Sequence, residues 1–140
     1  MNASAAIDDI RFRDDFESGR VMPADFHHRD HLRLAYVYLC ESSLADAHGR
    51  MRSAIMKFLS ANNVPSHKYH ETLTKSWLKA VKHFLVCAGN ISSFEQFLSA
   101  DDRLLNIEIM LTHYSQTRLF SELARAQFVE PDLQAIPEYE

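Results

Sequence analysis

Histidines are the residues of this sequence best suited to chemistry, because eight of them occur among 140 residues. His28 and His31 have the spacing His-x-x-His, which places two ring nitrogens one turn apart on one face of a helix. Such a pair suits two ligands of one metal ion, and His70 is the candidate third ligand. Three protein ligands leave one coordination position for water or substrate. The sequence therefore predicts a divalent-metal site formed by His28, His31 and His70.

The candidate catalytic residues accompany these histidines. His113 lies on an apolar segment and is a candidate fourth ligand or general base, and Tyr69 and Glu71 flank His70. Neutral imidazole binds zinc, iron, copper and nickel, so the sequence does not choose between these metals. In this hypothesis the protein is a metal-dependent hydrolase or oxidoreductase. Metal-bound water supplies the nucleophile in the hydrolytic version.

The predicted ligand of such a site is a small anionic molecule. Arg118 offers a planar guanidinium group, which suits a carboxylate or a phosphate. Its alternative partner is a carboxylate near the C-terminus, Glu130 or Asp132, and that contact would dock the end of the chain. Trp77 is a candidate substrate-binding residue because it falls on the apolar face of its helix.

Two alternatives need no metal. A histidine on an apolar helix face is often a core residue that hydrogen-bonds to a carbonyl, a tyrosine or a carboxylate. The first alternative is a non-catalytic module with structural histidines, in which a lysine stripe (Lys68, Lys75, Lys79 and Lys82) meets an acidic partner. The second is a pocket for an organic ligand beside Trp77 and Tyr69. The other histidines, His27, His48, His67 and His83, fall on polar edges or loops and are expected to be solvated.

Composition indicates one domain over residues 1–140, since 46% of the residues are hydrophobic and 24% are charged. The longest uncharged apolar run, residues 34–40, is far shorter than the roughly 18 residues of a membrane span. Asp8 and Asp9 lie where a signal peptide needs an apolar stretch, so we expect a cytoplasmic protein. The chain has 19 acidic and 15 basic residues, and this acidic excess argues against nucleic-acid binding.

The elements that position these residues are all predicted to be helices. Apolar residues recur at helical spacing, and no β-branched run alternates with polar residues, so we predict an all-α bundle of about six or seven helices. The predicted helices span residues 7–17, 28–41, 44–61, 67–88, 94–100 and about 102–114, and a short one follows Ser121. An extended tail begins at residue 129. The apolar residues 104–114 could pack inside the domain or against a second subunit. The sequence therefore does not decide whether the protein is a monomer or a homo-oligomer.

Four motifs carry a resemblance. They are Phe26-x-His28-x-x-His31-Leu32, Lys68-Tyr69-His70-Glu71-Thr72, His113-Tyr114-Ser115 through Arg118-Leu119-Phe120-Ser121, and Val129-Glu130-Pro131-Asp132-Leu133. Together they resemble a family of small bacterial hypothetical proteins, and the resemblance spans most of the chain. It implies a shared helical fold and marks these positions without naming a reaction.

Overall fold

The computed structural model describes residues 3–139, and within that range the chain is built from helices. The α-helices are α1 (Ile7–Glu17), α2 (His28–Glu41), α3 (Leu44–Ala61), α4 (Glu71–Ala88), α5 (Phe94–Ala100), α6 (Gln116–Leu119) and α7 (Glu122–Ala126). Short 3-10 helices lie between them at Pro23–Asp25, Ser66–Lys68, Arg103–Leu105 and Ile107–Thr112. The predicted all-α class is confirmed. None of the helices in this range is long and apolar enough to span a membrane.

Helix α2 lies at the centre of the core. Nearly all its side chains from Leu32 to Leu39 are buried, and α2 packs against α1, α3 and α4. Tyr36 and Tyr38 are fully buried in spite of their hydroxyl groups. A helix that is apolar on nearly all sides belongs in a protein interior. The first turn of α2, which carries His28 and His31, therefore lies at the edge of the core.

Helix α4 begins later than predicted. Residues 66–68 form a 3-10 turn, and His70 has an extended backbone with φ −123°. The Nδ1 atom of His70 accepts a hydrogen bond from the Leu73 N–H at 3.1 Å, so His70 is the N-cap of α4. The predicted start at residue 67 is therefore wrong, and His70 precedes the helix that was expected to contain it.

The predicted helix over residues 102–114 is also wrong. Arg103–Leu105 and Ile107–Thr112 are two separate 3-10 helices, divided by Asn106. The side-chain oxygen of Asn106 accepts a hydrogen bond from the Glu108 N–H at 3.0 Å. Such a local bond competes with the α-helical hydrogen-bond pattern, so the chain turns at Asn106 and does not continue as one helix.

The extended tail from residue 129 is confirmed, and it is docked on the core. Val129 and Ile136 are buried. The Thr72 hydroxyl donates to the Gln127 carbonyl at 3.0 Å and accepts from the Val129 N–H at 3.1 Å. The Tyr114 hydroxyl donates to the Val129 carbonyl at 2.7 Å. Side chains of the core thus supply the partners that the extended backbone lacks.

Candidate functional site

A cleft of about 500 Å³ lies between α2, α4 and the 3-10 helix Ile107–Thr112. Its floor includes apolar side chains that are almost fully buried: Leu32, Ala35, Leu78, Met110 and Leu119. Its walls consist of half-buried residues, among them Tyr69, Leu73, Thr74, Trp77 and Leu111. Four exposed residues surround its opening: Lys68, Ile107, Glu108 and Phe120. Volume and lining are typical of a small-molecule pocket.

Three of the four histidines predicted to converge do line this cleft. His28 and His31 reach it from the first turn of α2, and His70 reaches it from the start of α4. His113 is not among the lining residues, because its Nδ1–H donates to the Gln134 carbonyl at 2.8 Å. The break in the predicted helix at Asn106 explains this difference, since the 3-10 segment carries His113 toward the tail.

His70 is fully used by the fold. The Leu119 carbonyl, 2.8 Å from Nε2, can only accept, so Nε2 carries the proton and Nδ1 accepts from Leu73. Burial lowers the pKa of His70 below its ordinary value, which keeps the ring neutral. Because both nitrogens are occupied, His70 has no free lone pair for a metal ion in this arrangement.

His31 is oriented but not saturated. Its Nδ1–H donates to the His27 carbonyl at 3.3 Å, and its ring lies 4.0 Å from the ring of Phe26 between centroids. Burial lowers the pKa of His31 to about 4, so the ring is neutral at pH 7. A neutral imidazole that donates from Nδ1 has an unprotonated Nε2, which is a hydrogen-bond acceptor.

His28 has the opposite tautomer when it is neutral. Its Nε2–H donates to the Leu104 carbonyl at 2.9 Å, which leaves Nδ1 as the acceptor. The ring meets Trp77 edge-on, with centroids 4.5 Å apart. His28 and Trp77 therefore form one wall of the cleft together.

His28, His31 and His70 line one cleft, but this structure does not group them as ligands of one ion. Across residues 3–139, no three His, Cys, Asp or Glu side chains are grouped so that they could hold a metal ion. His28 and His31 each keep one ring nitrogen without a hydrogen-bond partner among residues 3–139, whereas both nitrogens of His70 have main-chain partners. A metal bound by all three would have to displace the cap of α4. Binding of zinc, iron, copper or nickel stays a prediction.

Glu71 lies beside the cleft in an ion-pair network and not on the cleft surface. Its buried carboxylate accepts from the Tyr69 hydroxyl at 2.6 Å and from His48 Nε2 at 3.1 Å, and it pairs with Arg52. His48 was expected to be solvated and is half-buried here. Tyr69 does line the cleft, and its hydroxyl is already donated to Glu71. The predicted catalytic residues Tyr69, Glu71 and His113 therefore have partners within the fold.

Arg118, the predicted anion-binding residue, does not line the cleft. Its Nε–H donates to the Glu130 carbonyl at 2.6 Å. Nearby, the Ser115 N–H and hydroxyl donate to the Asp132 carboxylate at 2.8 and 2.6 Å. The sequence allows a second possibility for Arg118, in which it binds a carboxylate near the C-terminus and docks the tail. The structure does dock the tail at this segment, but Arg118 binds a main-chain carbonyl and Ser115 binds the carboxylate of Asp132.

Two residues of the lysine stripe, Lys75 and Lys79, lie against residues near the C-terminus. Lys79 is buried, and its Nζ lies 2.9 Å from a Glu138 carboxylate oxygen. The amino groups of Lys75 and Lys79 lie 4.4 and 5.3 Å from the centre of the Phe128 ring. Part of the surface that was expected to meet an acidic partner is therefore covered by the chain's own C-terminal residues.

Sequence reasoning missed the opening of the cleft, where Ile107 and Phe120 are 63% and 58% exposed. Their signal in the sequence is weak, because one apolar residue in a polar segment is common on any surface.

Models of protein families give no match to the chain, and no curated protein or solved structure matches it significantly. The geometry of the cleft is therefore the basis for assigning a function to this protein.

Proposed function

We propose that this protein binds a small, uncharged and largely apolar organic molecule in the cleft between α2 and α4. This is the organic-ligand alternative, preferred here to a metal enzyme. The observation that carries the proposal is the cleft itself, about 500 Å³ in volume, with a buried apolar floor and half-buried aromatic walls. Pockets of this size and lining bury most of the surface of a small organic ligand.

The exposed apolar side chains at the opening supply a driving force. Ile107 and Phe120 have more than half of their surface in water. A ligand that covers them removes apolar area from water, which contributes about 25 cal/mol per Å². The same ligand would contact the half-buried walls around Leu73 and Trp77.

The charges at the opening give no preference for an anionic ligand. Lys68 and Glu108, both exposed, bring one positive and one negative charge to it. Arg118, the residue predicted to attract an anion, lies elsewhere and holds the Glu130 carbonyl. An anion in the cleft would gain attraction from Lys68 and meet repulsion from Glu108, so net charge contributes little to binding.

Fluorescence tests this proposal directly, because Trp77 is the only tryptophan and lies on the cleft wall. The probe is N-phenyl-1-naphthylamine, an uncharged dye whose emission rises in apolar surroundings. We expect saturable binding of one dye per chain with a Kd below about 1 mM, accompanied by quenching of Trp77 through energy transfer. Thr74→Phe, which adds bulk to the wall, should weaken binding at least about tenfold, a loss of about 1.4 kcal/mol.

Thr117→Phe is the matched control, because Thr117 is exposed on α6 and does not line the cleft. It should bind the dye as the unsubstituted protein does. Absence of saturable binding, or equal binding by Thr74→Phe, would overturn the proposal. Elemental analysis of protein purified without a metal-binding tag tests the metal prediction in parallel. Near-stoichiometric metal that is lost on replacement of His28 and His31 would replace our proposal with the metal hypothesis.

A further inference from the structure

Some polar groups of the cleft already have hydrogen-bond partners within the fold, and others do not. The Tyr69 hydroxyl donates to Glu71, and the Thr74 hydroxyl donates to the His70 carbonyl at 2.9 Å. His70 has partners at both nitrogens. Nε2 of His31 has no hydrogen-bond partner among residues 3–139, and the same holds for Nδ1 of His28. Nε2 of His31 is therefore an acceptor that the fold leaves unused, and Nδ1 of His28 is one when that ring is neutral.

His31 is the better defined of these two acceptors. The bond from its Nδ1–H to the His27 carbonyl, one helical turn earlier, fixes both the tautomer and the ring orientation. The ring also packs on Phe26, with centroids 4.0 Å apart. A fixed acceptor in an apolar cleft rewards a ligand that carries a donor. It penalises a carboxylate, ether or ketone, which would bring a second lone pair toward it.

The shape and chemistry of the walls favour a flat ring system. The rings of His28 and Trp77 meet edge-on, and Tyr69 and Phe120 also line the cleft. Aromatic rings prefer offset-stacked or edge-to-face contacts with one another, which a planar ligand can provide and a branched aliphatic ligand cannot.

We infer that the ligand is an uncharged hydroxylated aromatic compound whose phenolic O–H donates a hydrogen bond to Nε2 of His31. The ring system of the ligand lies against Trp77, and its hydroxyl reaches the first turn of α2. This inference rests on the proposed function and specifies the chemical class of the ligand for the same cleft. No covalent step is involved, so His31 acts as a specificity-determining residue.

Three probes that differ at one substituent test the inference: 4-phenylphenol, 4-methoxybiphenyl and biphenyl. The methyl ether can accept a hydrogen bond but cannot donate one. With the unsubstituted protein, equilibrium dialysis should show 4-phenylphenol binding about five- to tenfold more tightly than the ether, a difference that lies within the usual range for one hydrogen bond. In His31→Phe this preference should fall to less than about twofold, while the affinity for biphenyl changes little. His67 is exposed and lies outside the cleft, so the control variant His67→Gln should keep the preference for 4-phenylphenol over the ether.

A spectroscopic measurement on the unsubstituted protein covers the case in which His31→Phe does not fold. The ¹⁵N resonance of His31 Nε2 should shift on saturation with 4-phenylphenol, because this atom becomes a hydrogen-bond acceptor, and it should stay nearly unchanged with biphenyl. Binding of all three probes without preference for the phenol, or an unmoved Nε2 resonance, would overturn this inference and leave the proposed function standing. Failure of all three probes to bind would overturn both.

Discussion

His70 connects the start of α4 to the segment that follows Tyr114, and removing its imidazole tests both connections. In His70→Ala the Leu73 N–H loses its N-cap acceptor, which costs about 1 kcal/mol. The carbonyl of Leu119, a residue only 1% exposed, loses its donor, and an unsatisfied buried acceptor costs about 1–3 kcal/mol. We therefore expect the free energy of unfolding to fall by about 2–4 kcal/mol.

His70→Asn separates the two contributions. Asparagine is among the best N-cap residues, so it should restore the bond to Leu73, but it is too short to reach the Leu119 carbonyl. We expect His70→Asn to be about 1 kcal/mol more stable than His70→Ala. Urea unfolding followed by far-ultraviolet circular dichroism measures both variants, and an unchanged slope m would show that only the free energy has changed.

Two results would refute this reasoning. A loss of less than about 0.5 kcal/mol in His70→Ala, the size typical of surface substitutions, would mean that neither bond contributes as the geometry implies. Equal stability of His70→Asn and His70→Ala would mean that the capping bond to Leu73 contributes nothing measurable.

Two further predictions concern stability. Because burial lowers the folded-state pKa of His31 to about 4, the folded protein binds fewer protons than the unfolded chain, whose histidines titrate near pH 6.5. The contribution of His31 is thus fully present above about pH 6.5 and falls by up to about 1.4 kcal/mol per pH unit toward pH 4. Urea unfolding between about pH 6.5 and pH 4 should show that the free energy of unfolding depends less steeply on pH in His31→Phe. An unchanged pH dependence would contradict the lowered pKa of His31. Tyr69→Phe should cost about 1 kcal/mol in the unsubstituted protein and clearly less in Glu71→Gln, since the Tyr69 hydroxyl then loses its charged acceptor. Equal costs in this double-mutant cycle would show that the two side chains are not coupled.

Much of the helical framework could be predicted, because the signals that define it are local. The bounds of α1, α2 and α5 follow from apolar periodicity and from caps such as Ser93, whose hydroxyl accepts from the Gln96 N–H. The start of α4 could not be read in this way, since histidine is not among the usual N-cap residues. The break at Asn106 depends on one side-chain bond that competes with an otherwise helical apolar pattern.

The site was predictable only in part, for a related physical reason. The His-x-x-His spacing places His28 and His31 on one face of α2, and these two line one cleft together with His70, which lies just before α4 and not on it. What each nitrogen does there depends on carbonyl groups far away in the sequence: Leu104 for His28, and Leu119 for His70. Main-chain carbonyls exist at every residue, so no residue type marks the ones that serve as partners. A histidine that binds a metal and a histidine that donates a structural hydrogen bond therefore look alike in the sequence.

The buried hydroxyl of Thr72 has a consequence for the substitutions that this chain can tolerate. It donates to the carbonyl of Gln127 and accepts from the N–H of Val129, so one atom serves two main-chain groups of opposite polarity. Valine has the same shape and would leave both groups unpaired in the interior, whereas serine could serve both. In related sequences with a tail held in the same way, position 72 should vary only between threonine and serine, and a valine there would indicate a differently held tail.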